Sequence, residues 1–220
     1  MPLSTRIIVL NTTKVGDKSL VVHALSRELG RRSFITGVSG SGAKKTGGSM
    51  AFWQPLSVLD VEVVENPKSD LWRLRGVSAV YPLAGLRSDV GRSAVCMFMA
   101  EVLYRAVREG AEPELYDWCE KSILTLDALN GSYANYHLRW LLELCSAMGF
   151  TPALEDLAPF AENHLRDLAV LSGPYEAALL HPLAGKARGE IAEALLQYLS
   201  AHLEYPLNVR SLGVVGELFR

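Results

Sequence analysis

Cysteine is scarce in this 220-residue chain: Cys96, Cys119 and Cys145 are odd in number, widely spaced and set in helical patterns. No disulfide framework is implied, and a reducing cytoplasm suits the chain. No Cys-x-x-Cys or His-x-x-x-His pair occurs, so no metal site is expected and the thiols read as buried structural groups. Long hydrophobic runs are missing too. No stretch of about eighteen apolar residues occurs, and no basic segment with an apolar core opens the chain, which predicts a soluble, unexported protein. The five histidines (His23, His137, His164, His181 and His202) lack carboxylate and hydroxyl partners at catalytic spacing. Neither a catalytic centre nor a cofactor is expected.

Apolar residues make up 49% of the chain, enough to bury a core and to argue against disorder. The net charge of −2 conceals two opposed parts. Residues 1–50 carry eight Lys or Arg against two acids, and the remaining 170 carry fourteen bases against twenty-two acids. A charge of +6 at one end and −8 over the rest suggests a nucleic-acid face followed by a region with a different partner.

The segment Gly37-Val-Ser-Gly-Ser-Gly-Ala-Lys44-Lys45-Thr-Gly-Gly48 is a glycine-rich basic loop between two segments that read as strands. As a phosphate-binding P-loop it fails. Gly37 and Gly42 have the right separation, but Ala43 stands at the lysine position, and a strand follows where a helix N-terminus is needed. It also lacks the closing glycine of a nucleophile elbow.

Thr5–Leu10, Ser19–Leu25, Arg32–Val38, Leu56–Val64 and Leu71–Tyr81 are short β-branched runs bounded by turns, which predicts a small closed β unit over residues 1–82. Alternation is clearest where Leu59, Val61 and Val63 oppose Asp60 and Glu62. An OB-like barrel fits, and an SH3-like barrel would give much the same string. After Tyr81-Pro82 the period changes. Ser88 reads as the cap of a long helix carrying Val90, Ala94, Phe98, Val102 and Ala106, and Pro113 as the first residue of another that stops at Asn130-Gly131. Helices over Ala134–Met148 and Gly189–Leu203, a less regular stretch between them and a last short helix with Leu212, Val215 and Phe219 complete an all-helical domain over residues 83–220. The fold class is α+β multidomain.

Basic side chains on a barrel rim would neutralise phosphates with little sequence preference and strong salt dependence. Phe34, Phe52 and Trp53 flank the basic loop and are candidates for stacking on bases, although barrel core is the leading reading for Phe34 and Phe52. In the helical part, Arg105, Arg108 and Arg139 lie beside Phe98, Val102, Leu138 and Leu142, a combination that could seat an amphipathic or acidic peptide end. An adaptor that binds a protein through its barrel is the competing reading.

The order of several motifs resembles the bacterial recombination mediator family RecO. They are Arg6-Ile-Ile-Val-Leu10, Asp17-Lys-Ser-Leu-Val-Val22, Glu28-Leu-Gly30, Phe34-Ile-Thr-Gly-Val38, Trp53-Gln-Pro-Leu-Ser57, Ser93 to Tyr104, Gly149-Phe-Thr-Pro152 and Arg210-Ser-Leu212. The helical segments look like the Bacteroidetes-type branch. The resemblance implies an N-terminal OB fold that binds single- and double-stranded DNA, and a helical domain for protein interaction that could add a DNA contact. It implies strand annealing, binding to RecR and to the acidic tail of single-stranded DNA-binding protein, help in loading RecA, and a cytoplasmic, nucleoid-associated location. It places Lys14, Lys18, Arg27, Arg31, Arg32, Lys44 and Lys45, with Phe34, on the DNA-binding domain, and implies no nucleotide hydrolysis. Many relatives carry a four-cysteine zinc module after the position of Pro152. Here that region has no cysteine.

Overall fold

Five β-branched, alternating segments form five strands: β1 (Leu3–Val15), β2 (Ser19–Ser26), β3 (Gly30–Gly37), β4 (Val58–Val64) and β5 (Trp72–Ala79). The computed structural model describes residues 2–37 and 50–220. The strands close into a barrel in the order β1-β2-β3-β5-β4, with β3 and β5 parallel and the other pairs antiparallel. This Greek-key closure is of the OB type. Ile7, Val22, Phe34, Leu59, Val61 and Leu74 fill its interior, leaving Asp60 and Glu62 outside as the alternation predicts.

Most strand limits differ from the sequence reading by one or more residues, and two of the differences have a clear cause. β1 continues to Val15 because its far half pairs with β2 alone, and residues exposed on both faces need no hydrophobic alternation. A register shift between Val9 and Asn11 bends the strand from one neighbour to the other. At the start of β4, Leu56 has a φ of 57° and donates its N–H to the Val9 carbonyl at 2.7 Å, so the strand begins only at Val58. The residues just before are a 3-10 turn (Met50–Trp53), not a strand, and it drops Trp53 into the barrel core.

The chain divides into two compact units. One joins the barrel to Leu103–Ile123, and the other comprises Ala84–Val102 and Leu124–Arg220. In the first unit, Gly30 pairs with Gly110, and the outer faces of β2 and β3 near that point are covered by Tyr104. His23 donates to or accepts from Ser33 at 2.7 Å and lies 5.1 Å from the Tyr104 ring.

The second unit is helical, in the order α1 (Ala84–Ser88), α2 (Val90–Ala106), α3 (Pro113–Ala128), α4 (Tyr136–Ala147), α5 (Leu154–Ala161), α6 (Leu165–Leu171), α7 (Tyr175–Leu180), α8 (Gly185–Leu203) and α9 (Ser211–Leu218), with the α2 end and α3 start belonging to the barrel unit. Pro113 opens α3, where its missing N–H costs nothing. Asp89, not Ser88, caps α2 by accepting the Arg92 N–H at 2.8 Å. Phe98 meets the Trp140 and His137 rings edge-on, at 6.4 Å and 5.8 Å. The stretch that reads as irregular is three short helices, α5 to α7, each too brief to show a clear period.

One polar knot ties this unit together. Buried Asn135 donates to the carbonyls of Ala178 and His181, at 3.1 Å and 2.7 Å, and accepts from Arg188. Arg188 also donates to the carbonyls of Leu183 and Phe219. Asn135→Ala leaves these groups unsatisfied inside the protein and should cost about 2–4 kcal/mol, measured as a lowered urea midpoint at unchanged slope. An unaltered midpoint would refute the role of the knot.

Candidate nucleic-acid interface

A polyanion needs cations that are not already committed to carboxylates, and the barrel unit sorts its basic residues on that criterion. Arg6 is held by Asp60 and Glu120, at 3.1 Å and 2.9 Å. Arg27 makes a two-pronged pair with Asp117, at 2.8 Å and 3.0 Å, which raises the guanidinium pKa and lowers that of the carboxyl. Arg31 lies over the Tyr104 ring at 5.6 Å and donates to the Tyr104 carbonyl, so it fastens Leu103–Ile123 to the barrel. These three are engaged within the unit.

Lys14, Lys18, Arg32 and Arg73, like Lys68 and Arg75, make no ion pair with a carboxylate among the described residues. Strand register brings Lys14, Lys18 and Arg73 towards one row, while Arg32 lies three residues from that row, on the Gly30 side of β3. Thr13 faces Val21, Val21 faces Ile35 and Ile35 faces Arg73, giving a row across β1, β2, β3 and β5. Lys14 follows one residue further along β1, and Lys18 occupies the turn between β1 and β2. Ser19 pairs with Gly37, so that turn and the end of β3 share one end of the barrel.

Arg32 is distinguished by its partner. Its guanidinium sits 3.9 Å from the centroid of the Trp72 ring. Stacking of this kind fixes the cation while leaving its N–H edge for phosphate and its second face for a base. Trp72 is half-buried at the start of β5, in register with Phe34.

Phe34 itself is fully buried in the barrel core, as is Trp53 apart from 3% of its surface. Neither ring offers a face to a base, which corrects their expected stacking role: inward-facing positions of a small barrel are filled by its own side chains. Phe52 is half-buried against the same core. Lys44 and Lys45 lie outside the described residues. Arg73, by contrast, is a member of the cationic end that sequence reasoning misses. Its exposed position between inward Trp72 and Leu74 is visible there, but not the parallel pairing that sets it beside β3.

The peptide groove expected in the helical part has a different form. Phe98, Val102, Leu138 and Leu142 are all interior and form no walls. Arg139 pairs with Glu143 at 2.7 Å and donates to the carbonyls of Leu171 and Gly173, closing the C-terminal end of α6. With Leu142, Ser146, Thr151 and Pro152 it lines a shallow hollow of about 110 Å³. Arg105 and Arg108 belong to the barrel unit, not to this one.

Nucleophilic chemistry has little support in these side chains. All three cysteines are buried, which pushes the Cys96 and Cys145 thiols up to about 12 and Cys119 still higher. His137 is buried and held neutral, its pKa lowered to about 3. His164 spends both ring nitrogens on Asp167 and Glu190, and His181 contacts the other Asp167 oxygen. Among the described residues, no group of three or more His, Cys, Asp or Glu could hold a metal ion, and no helix is long and apolar enough to cross a membrane.

Comparison with known proteins points in one direction. The family model described as Recombination protein O N terminal matches residues 1–83, and that described as Recombination protein O C terminal matches residues 87–159. The DNA repair protein RecO of Phocaeicola vulgatus is 38% identical over 96% of this chain and 97% of its own length. Its namesake in Bacteroides fragilis is 30% identical over 96% of this chain and 97% of its own. That of Flavobacterium johnsoniae is 26% identical over the whole of both.

Proposed function

The chain belongs to the recombination protein O family and has a role in DNA repair; within that role, we propose that its barrel binds DNA through the cations Lys14, Lys18, Arg32 and Arg73. The observation that carries this reading is the sorting of cations. Those four have no carboxylate partner among the described residues, whereas Arg6 and Arg27 are neutralised by Asp60, Glu120 and Asp117. Single strands suit the site because the Arg32–Trp72 stack offers a platform to an unpaired base. Double-stranded DNA is held through phosphates alone.

In this reading the protein aligns and anneals complementary strands. With RecR, it helps RecA replace single-stranded DNA-binding protein, whose acidic tail is met by the helical unit. None of these steps breaks a covalent bond, so no enzymatic activity is needed. The hollow beside Arg139 supports a helical-unit contact only modestly, because that arginine is already paired.

A strand-annealing assay, with and without single-stranded DNA-binding protein coating the strands, tests the function. Annealing faster than the spontaneous rate under both conditions is expected. No acceleration in either would overturn the mediator reading and favour a protein adaptor.

Lys44 and Lys45 are proposed to extend the cationic track. Changing both to Glu should weaken DNA binding similarly across sequences, and should reduce the slope of log affinity against log salt by about 0.7 for each phosphate of a single strand that is no longer neutralised. Unchanged affinity and slope would remove the loop from the track.

A further inference from the structure

The barrel unit also holds a cavity of about 530 Å³, formed where β1, β4 and β5 meet the start of α3. Its charge is the reverse of the DNA-facing end. Glu28, Asp60, Glu62, Asp117 and Glu120 outnumber Arg6 and Arg27, for a net charge of −3. Both arginines are spent on Asp60, Glu120 and Asp117, and Glu28 accepts a hydrogen bond from Thr5. Glu62 has no side-chain partner among the described residues.

A second feature marks this as more than an acidic patch. Tyr116 lines the cavity with a side chain that is fully buried, yet its hydroxyl has no hydrogen-bond partner among the described residues. Burial raises its pKa, and the hydroxyl feels the charges of Glu120, Arg6, Glu28 and Asp60, which places it among the groups around the hollow. A neutral hydroxyl kept from water and left unpaired costs stability, so its retention in a charged cavity points to a ligand that supplies a donor.

We propose that this cavity binds the guanidinium of an arginine in a cationic segment of a partner protein. The volume lies within the range that takes one or two side chains. Net negative charge selects a cation and repels nucleic acid. Guanidinium presents five donors in a planar fork and can serve more than one acceptor of the lining at once, as Arg27 already does with both oxygens of Asp117. An ammonium is a single charged point and spans less of the site.

The test uses the full chain and three probes: a fluorescein-labelled peptide of alternating glycine and arginine, the same peptide with lysine, and spermidine. Glu62→Gln and Tyr116→Phe keep side-chain shape and disturb no contact described above, so Glu62→Gln should melt as the wild type does and Tyr116→Phe at or above it, having lost an unpaired buried hydroxyl. The arginine peptide should bind saturably, more tightly than the lysine peptide, and each substitution should weaken it at least about fivefold. Affinity for single-stranded DNA should stay the same in both variants, which separates failure here from failure of the DNA site. Equal peptide affinity in wild type and variants would overturn the proposal. So would binding of the lysine peptide or spermidine as tightly as the arginine peptide.

Discussion

Substituting Arg32 and Trp72 together with alanine should weaken binding of single-stranded DNA by about 2–3 kcal/mol, roughly thirty- to 150-fold. The guanidinium carbon lies over the indole, 3.9 Å from its centroid. That arrangement restrains an otherwise flexible side chain before DNA arrives, so less entropy is lost on binding. A base stacking on the outer face of the guanidinium gains dispersion and cation–π energy, and the free N–H edge meets a phosphate. Arg32→Ala alone should lose most of this, because the indole then has neither its cation nor a fixed neighbour. Trp72 also packs on the barrel core, so Trp72→Phe is the control that keeps the packing. It should retain an intermediate affinity. Double-stranded DNA, with its bases stacked inside, should lose less affinity than single-stranded DNA in every variant. Equal losses on the two would show that the stack acts as charge only.

Gly30→Ala should lower stability by about 2–4 kcal/mol, and the melting temperature by about 2–4 °C for each kcal/mol. Gly30 has a φ of +69°, and a Cβ built there would overlap the Gly110 carbonyl oxygen. No rotamer relieves a clash made by Cβ itself, so the backbone bridge between β3 and residue 110 must open. With it goes the cover that Tyr104 places over His23 and Arg31. Gly16→Ala is the matched control: its φ is +63°, but nothing lies within 4 Å of the added carbon. It should cost only about 1 kcal/mol, the penalty of the left-handed backbone alone. Matching midpoints for the two variants would contradict the close approach.

Much of the architecture is legible in the residue pattern. Alternation at Leu59, Val61 and Val63 marks the buried face of β4, the four-residue spacing from Val90 to Ala106 marks α2, and Pro113 marks the start of α3. Short elements are harder. The α5 to α7 pieces are six to eight residues long, barely two turns, and their periodicity is lost among the connections. Which charges remain available is not legible at all. Arg27 and Lys18 look alike in the sequence, yet Arg27 finds Asp117 ninety residues away and Lys18 has no such partner among the described residues. Only closure of the barrel and its bridge to residue 110 bring such pairs together. Phe34 shows the converse case. Its inward phase follows from the β-strand period it shares with Thr36, whereas its nearness in sequence to the basic loop suggests stacking and misleads.

The most direct measurement is the salt dependence of single-stranded DNA binding, followed by fluorescence anisotropy for three proteins: wild type, a variant with Lys14, Lys18, Arg32 and Arg73 changed to alanine, and a variant with only Arg27 changed. Removing the unpaired four should reduce the slope of log affinity against log salt by about 0.7 for each phosphate left unneutralised, with a matching fall in affinity, while Arg27→Ala leaves the slope where it was. An unaltered slope in the fourfold variant, or an equal loss on removing Arg27, would contradict the assignment of this end of the barrel to DNA.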